Sequence, residues 1–177
     1  MNLYIDTHLN DIILILFKNG EIIREKRIIG EKNNSTLIMP ALAEIVDVKE
    51  VNSILVCNGP GSFTGVRLGV TIAKTLAYTL NIPIRTINYL DCMRLSTENN
   101  IVAFSDGNGF YVGEYMEDTP KLLYLSNAEF KEYNLLNNVE LNTNINYNKV
   151  FTKALEYLPV NPHKVNPIYI KKLAVEK

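Results

Sequence analysis

The sequence predicts an α/β fold in two units, the second a shorter echo of the first. Three observations carry this. β-branched apolar runs and longer helical runs alternate over the first half of the 177 residues in the order β-β-β-α-β-α-β-α. Two of the opening runs flank Asn19-Gly20, the strongest short signal for a hairpin turn. From Ile101 a second hairpin pattern begins, and the chain loosely repeats itself, shorter and richer in asparagine. Three antiparallel strands followed by βα units is the order of a ribonuclease-H-like half-domain.

The elements follow in turn. "NLYIDTHL" sets Leu3, Tyr4 and Ile5 ahead of Asp6-Thr7, a strand running into a polar end. "DIILILFKNGEIIREKRIIG" is the hairpin. "NNSTLIMPALAEIVDV" reads as a helix, with Ser35 or Thr36 as N-cap and Pro40 early enough that its missing N–H costs little. "VNSILVCN" is a buried strand. "TGVRLGVTIAKTLAYTL" is a long helix, capped by the Thr64 hydroxyl and closed before Pro83. "IPIRTIN" and "YLDCMRLST" add a strand and a short helix. In the second unit "IVAFSDGNGFYVGEYM" turns at Asp106-Gly107-Asn108-Gly109. "PKLLYLS", "NAEFKEYN", "NVELNTN" and "NYNKVFTKALEYL" read as strand, helix, strand and helix, and "NPIYIKK" as a terminal strand. No linker or low-complexity tract intervenes, so the predicted division is 1–98 and 99–177.

Composition bounds the function. Apolar residues make up 47% and charged residues 21%, with a net charge of −1. That is ordinary globular chemistry, without the basic field of a stand-alone RNA binder. Cys57 and Cys92 share no motif spacing and read as core residues in a reducing compartment. The N-terminus has no leader pattern and no run is long enough to span a membrane, so a cytoplasmic protein is expected.

"NGPGSFTGVRLGV", Asn58 to Val70, carries the richest glycine loop. It is not a P-loop, because Gly65 is followed by Val66-Arg67 and the phosphate-binding lysine is missing. Nor is it a dinucleotide fingerprint, because four positions rather than three separate Gly61 from Gly65. It contains no nucleophile elbow around Ser62. The helix behind it is apolar nearly all round: Gly65, Gly69, Ala73 and Leu76 share one stripe, and Arg67 and Lys74 are its only charges. The preceding helix is similar, with Leu37, Ile38, Ala41, Leu42, Ile45 and Val46 around Glu44 and Asp47. Helices of that kind need cover on more than one side. The expectation is a second protein chain over them, with Ile72 also in the contact and with Gly65 and Gly69 clearing space for a crossing helix. Arg67, in the first turn where the helix dipole disfavours a cation, is expected to meet a carboxylate or phosphate.

The stretch "NGPGSFTGVRLGVTIAKTLA" closely resembles the signature of the bacterial TsaB (YeaZ) family. "YIDT", "SDGNGFYVGEY" and "NPIYIKK" fall in the family's order, and the likeness is dense from Ser53 to Ala77. The resemblance implies an actin/Hsp70/sugar-kinase-like fold of two ribonuclease-H-like lobes, the second truncated here. It implies a non-catalytic partner of the TsaD protein. With a TsaE-like ATPase and ATP, TsaD moves a threonylcarbamoyl group onto the adenosine beside the anticodon of tRNA. On that reading tRNA is met only within the complex, ATP and a metal ion belong to the partners, and the chain alone forms a homodimer through the same two helices. Gly59, Pro60, Gly61, Ser62, Phe63, Thr64 and Arg67 are its signature loop.

Two departures stand out. The part from about Ile101 is short by comparison with the family. Asn33-Asn34-Ser35 stand where many relatives carry a histidine, and His8 and His163 form no H-x-x-x-H metal pair of the kind TsaD uses. Asp6-Thr7 and Asp106 match degenerate phosphate-loop positions of kinases with this fold. They equally suit a strand end and a turn. The competing reading is a small ATPase or kinase using Asp6, Asp106 and the glycine loop. Tyr111, Tyr115, Tyr124 and Tyr133 read as packing residues, and Lys171, Lys172 and Lys177 as a solvated end.

Overall fold

Five strands form the first sheet of the computed structural model, which describes residues 1–30 and 34–171. β1 (Asn2–Asp6), β2 (Ile12–Lys18), β3 (Glu21–Ile28), β4 (Ser53–Cys57) and β5 (Ile84–Ile87) lie in the order β3-β2-β1-β4-β5. β1 runs antiparallel to β2 and parallel to β4, and β4 parallel to β5. This is the ribonuclease-H-like arrangement. The hairpin turns on Asn19 (φ 54°) and Gly20 (φ 84°), both in the left-handed region that an Asn-Gly turn supplies. Both sheet faces are covered, which is why β1, β2 and β4 read as nearly continuous apolar runs. Leu3, Ile5, Ile54 and Val56 meet α1 (Asn34–Ile45) and α2 (Phe63–Leu80) on one face. Tyr4, Ile15, Phe17, Leu55 and Cys57 point to the other.

The second sheet repeats this logic and stops short. β6 (Ile101–Ser105), β7 (Gly109–Glu114), β8 (Lys121–Ser126) and β9 (Glu140–Leu141) lie in the order β8-β7-β6-β9, with β6 parallel to β9. Among the described residues no counterpart of β5 follows. α4 (Asn127–Leu136) opens with a reciprocal cap in which the Ser126 hydroxyl accepts from the Glu129 N–H and the Glu129 carboxylate accepts from the Ser126 N–H.

The chain then returns to the first sheet. α5 (Tyr147–Glu156) lays Tyr147, Val150, Phe151 and Ala154 on Tyr4, Ile15 and Phe17. Val160 bridges Ile84, and Val165 enters the core beneath α2. Position 98/99 marks where the second sheet begins. The packing places α5 and Val165 with the first unit, because α5 has its apolar stripe matched to the β1–β2 face.

Four local expectations are corrected. Ser35 and Thr36 lie inside α1, and the residue before the helix is outside the described residues. Pro40 sits in the helix interior, where it supplies no N–H to the carbonyl of Thr36. Ser62, not Thr64, caps α2, its hydroxyl accepting from the Gly65 N–H at 3.3 Å. "NPIYIKK" forms no strand over its described residues. A three-ten turn at Pro162–Lys164 leads into an irregular segment.

The two units are tied by α3 (Tyr89–Ser96) and the end of β7. The Tyr115 hydroxyl donates to Asp91 at 2.6 Å, and the Asn88 side chain also bonds that carboxylate. Burial pushes the Asp91 carboxyl up, and these two donors oppose the shift. Their stabilisation therefore acts on the charged form, is present at neutral pH, and is lost as pH falls through the folded-state value. Tyr115→Phe is expected to lower stability by about 1–2 kcal/mol at pH 7, with a smaller loss in acid. Urea melts at the two pH values read this, and a loss that is equal or larger in acid would contradict it.

Candidate functional site

The glycine loop approaches its own chain. The Ser62 N–H donates to the His8 carbonyl at 2.6 Å, the Thr7 hydroxyl to the Gly65 carbonyl at 2.6 Å, and the Tyr111 hydroxyl to the Gly61 carbonyl at 3.2 Å. A Cβ at Gly61 would meet the His8 carbonyl, and one at Gly65 the Thr7 carbonyl, both well inside the 3.0 Å that real Cβ contacts respect. At Gly69 it would strike the Thr7 hydroxyl. The expectation that Gly65 and Gly69 clear space for a partner helix is thus corrected: they clear space for the β1–β2 loop. Gly59 (φ 105°) is covered by the Ile168 carbonyl, 3.0 Å from where its Cβ would sit.

Asp6 and Asp106 have local duties. Asp6 is buried and accepts from the Tyr4 hydroxyl at 3.0 Å and the His8 N–H at 2.9 Å, with His8 Nδ1 2.7 Å away. Burial opposes its charge, but the His8 ring and these hydrogen bonds hold the carboxyl below its ordinary value. Asp106 opens its turn, accepting from the N–H groups of Asn108 and Gly109 at 2.9 and 3.0 Å. Its carboxyl is also held low, against desolvation, by the Asn108 N–H and by Lys171 at 3.1 Å.

Between them runs the C-terminal segment. The Ile168 N–H donates to the Asn58 carbonyl at 2.7 Å, and the Asn58 amide to the Asn166 carbonyl at 3.2 Å. Ile170 packs into the cluster of Leu90, Met93, Phe104 and Tyr111, and Lys171 lies 4.7 Å from the centre of the Tyr124 ring. Sequence reasoning read Lys171 as a solvated end. It is an interlobe tie, and only the fold brings it to Asp106. Lys172 and Lys177 lie outside the described residues.

The helices expected to bind a partner split in two. Ile38, Ala41, Leu42, Ile45, Gly65, Gly69 and Ala73 are buried within this chain and offer no outer surface, a correction that follows from α1 and α2 covering the same sheet face. Leu37, Ile72 and Leu76 are half-buried. Among the residues that remain outside are Met39, Pro40, Ala43 and Glu44 on α1, and Phe63, Thr64, Arg67, Thr71, Thr75 and Tyr78 on α2. Of the charges on the two helices, Glu44 pairs with Lys26 at 2.5 Å and Lys74 donates to the Val165 carbonyl at 2.9 Å. Arg67 lies 3.7 Å from the centre of the Phe63 ring and donates from Nε to the Tyr169 hydroxyl at 2.8 Å. Among the described residues its companions are aromatic, not acidic. A groove of about 800 Å³ runs beside it, lined by Leu9, Ser35, Ser62, Thr64, Leu68 and Thr71. Of Asn33-Asn34-Ser35, which stand where many relatives are expected to carry a histidine, Asn33 lies outside the described residues.

The family model of tRNA N6-adenosine threonylcarbamoyltransferase, TsaD, matches residues 30–113. The TsaB protein of Bacillus subtilis is 38% identical over 96 residues, covering 51% of this chain and 42% of that one. The chain spans about half the length, or less, of the TsaB-named relatives it matches first. An uncharacterized MG208 homolog of Mycoplasma pneumoniae is 29% identical over 93% of this chain and 90% of its own. YeaZ from Pseudomonas aeruginosa superposes with a TM-score of 0.71 at 16% identity, over 95% of this chain and 98% of that one, a likeness of fold.

Fold and site together define an actin/Hsp70/sugar-kinase-like fold with a truncated second lobe and a C-terminal segment that bonds to both units. Curated relatives named TsaB and the fold match to YeaZ support the resemblance to the TsaB (YeaZ) family.

Proposed function

We propose that this chain is a non-catalytic subunit in the biosynthesis of threonylcarbamoyladenosine in tRNA, pairing with a TsaD-type transferase in the cytoplasm. The observation that carries the reading is the outer surface of α1 and α2. Met39, Pro40, Ala43, Thr71 and Thr75 give it small and apolar side chains, and its charges are engaged within the chain. Such a surface suits a partner's helices and has little to offer a charged small molecule. Catalysis, ATP and metal fall to TsaD and a TsaE-like ATPase, with tRNA met only in the assembly. Alone, the chain covers the same surface with a second copy of itself. Among the described residues no helix is long and apolar enough to cross a membrane.

The test is co-purification with the TsaD-like protein of the same organism. Ala43→Arg and Thr71→Arg alter exposed positions, so each is expected to change stability by less than about 0.5 kcal/mol. Each is expected to weaken the heterodimer at least about tenfold, which is about 1.4 kcal/mol. Unchanged affinity in both variants would overturn the assignment of the surface. Mg-ATP is expected to leave the melting temperature of the isolated chain unmoved, since only a ligand of the native state raises it. A concentration-dependent rise would favour the ATPase reading.

A further inference from the structure

Beneath the glycine loop sits a cluster that no part of the partner role uses. β1 and β4 run parallel in the register Ile5↔Val56, which carries Asp6 beside Cys57 on the α5 side of the sheet. His8, two residues on, folds back over Asp6. One ligand atom from each of Asp6, His8 and Cys57 lies within 4.8 Å of the others, and all three residues are buried.

We infer that Asp6, His8 and Cys57 form a buried structural site for a divalent transition ion of the zinc type. Four observations support it. The donor set of carboxylate, imidazole and thiol is the borderline mixture that zinc and cobalt prefer over magnesium or calcium. His8 Nδ1 is held by Asp6 at 2.7 Å, while Nε2 is buried without a hydrogen-bond partner among the described residues. An ion entering there takes the place of the Asp6–His8 hydrogen bond, ligated by Nδ1 and the carboxylate together. The ring is fixed in place, its centre 3.9 Å from that of Tyr89 in a stack and 5.5 Å from that of Phe104 edge-on. The Tyr4 hydroxyl and the His8 N–H orient the carboxylate.

Charge and geometry close. Binding takes the proton from the Cys57 thiol and releases it to solvent. Thiolate, carboxylate and neutral imidazole then carry two negative charges against the ion's two positive ones, so the buried site is neutral. Zinc-to-ligand distances of about 2.0–2.3 Å in a tetrahedron place ligand atoms roughly 3.5 Å apart. The triangle therefore has to tighten along its longest edge and open between Asp6 and His8 Nδ1, now 2.7 Å apart, and a water molecule supplies the fourth ligand. The sequence hid this site because Cys57 stands 49 positions after His8 and matches no ligand spacing. It is also unrelated to the histidine pair that the chain lacks.

The test uses the whole chain, purified without a metal-affinity step. Mass spectrometry of metals is expected to find about one zinc per chain. Protein unfolded with chelator and refolded with cobalt(II) alone is expected to show an ultraviolet thiolate-to-cobalt charge-transfer band and the intense visible bands of four-coordinate cobalt. Cys57→Ala is expected to abolish the charge-transfer band, and Cys92→Ala to keep it. Wild-type protein that holds no metal and shows no such band overturns the proposal, whether or not either variant folds. A band that persists in Cys57→Ala overturns it as well.

Discussion

Gly65→Ala is expected to cost about 3 kcal/mol or more of stability, at the upper end of what overpacking does. The reason is what the new methyl group meets. Its neighbours are the carbonyls of Thr7 and Leu9, both backbone, and both inside 3.0 Å. A flexible side chain could swing aside. The β1–β2 loop cannot, because Ser62 and Thr7 hydrogen bonds hold it against the loop and α2. The control is Gly107→Ala. Nothing lies within 4 Å of that position, so only its φ of 85° resists the change, at a cost of about 1–2 kcal/mol. Urea denaturation of the two variants reads the difference. Equal costs would mean that the glycine loop does not pack on the β1–β2 loop.

Phe151→Ala is expected to cost about 3–5 kcal/mol, the range for removing a buried aromatic ring. Phe151 is fully buried, stacks on Phe17 with ring centres 4.1 Å apart, and touches Tyr4 and Tyr147. Leu136→Ala is the comparison, since Leu136 is 86% exposed and its removal should change stability by less than about 0.5 kcal/mol. Both residues lie after Ile101, in the stretch the sequence assigned to the second unit. A similar, small cost for both would show that α5 is not part of the first unit's core.

A heat or denaturant scan of a chain ended before α5 is bound to the same point. Without Tyr147, Val150 and Phe151 the face carrying Tyr4, Ile15 and Phe17 lies bare. The second sheet cannot supply that cover, because its own apolar residues close on Phe130 and on Tyr111 and Phe104.

The sequence by itself determined most of the order of elements, the Asn19-Gly20 hairpin, the start of the second sheet and the resemblance to the TsaB (YeaZ) family. Each of these rests on local chemistry: turn residues that tolerate positive φ, alternation that matches a strand, and a signature read residue by residue. It also recognised that Gly59, Gly61, Gly65 and Gly69 exist to let something close. Tertiary structure alone decided what. That something is the backbone and hydroxyl of Thr7, the backbone of His8 and the carbonyl of Ile168, residues about 50 to 109 positions away that β1–β4 pairing and the returning C-terminal segment deliver. The same is true of α5 on the first sheet, of Lys171 on Asp106, of Arg67 against Phe63 and Tyr169, and of Cys57 beside Asp6 and His8. Apolar periodicity says that a helix face must be covered and never says by which surface. For α1 and α2 the inner face went to the chain's own sheet, because burying Ile38, Leu42, Val66 and Val70 there requires no second molecule.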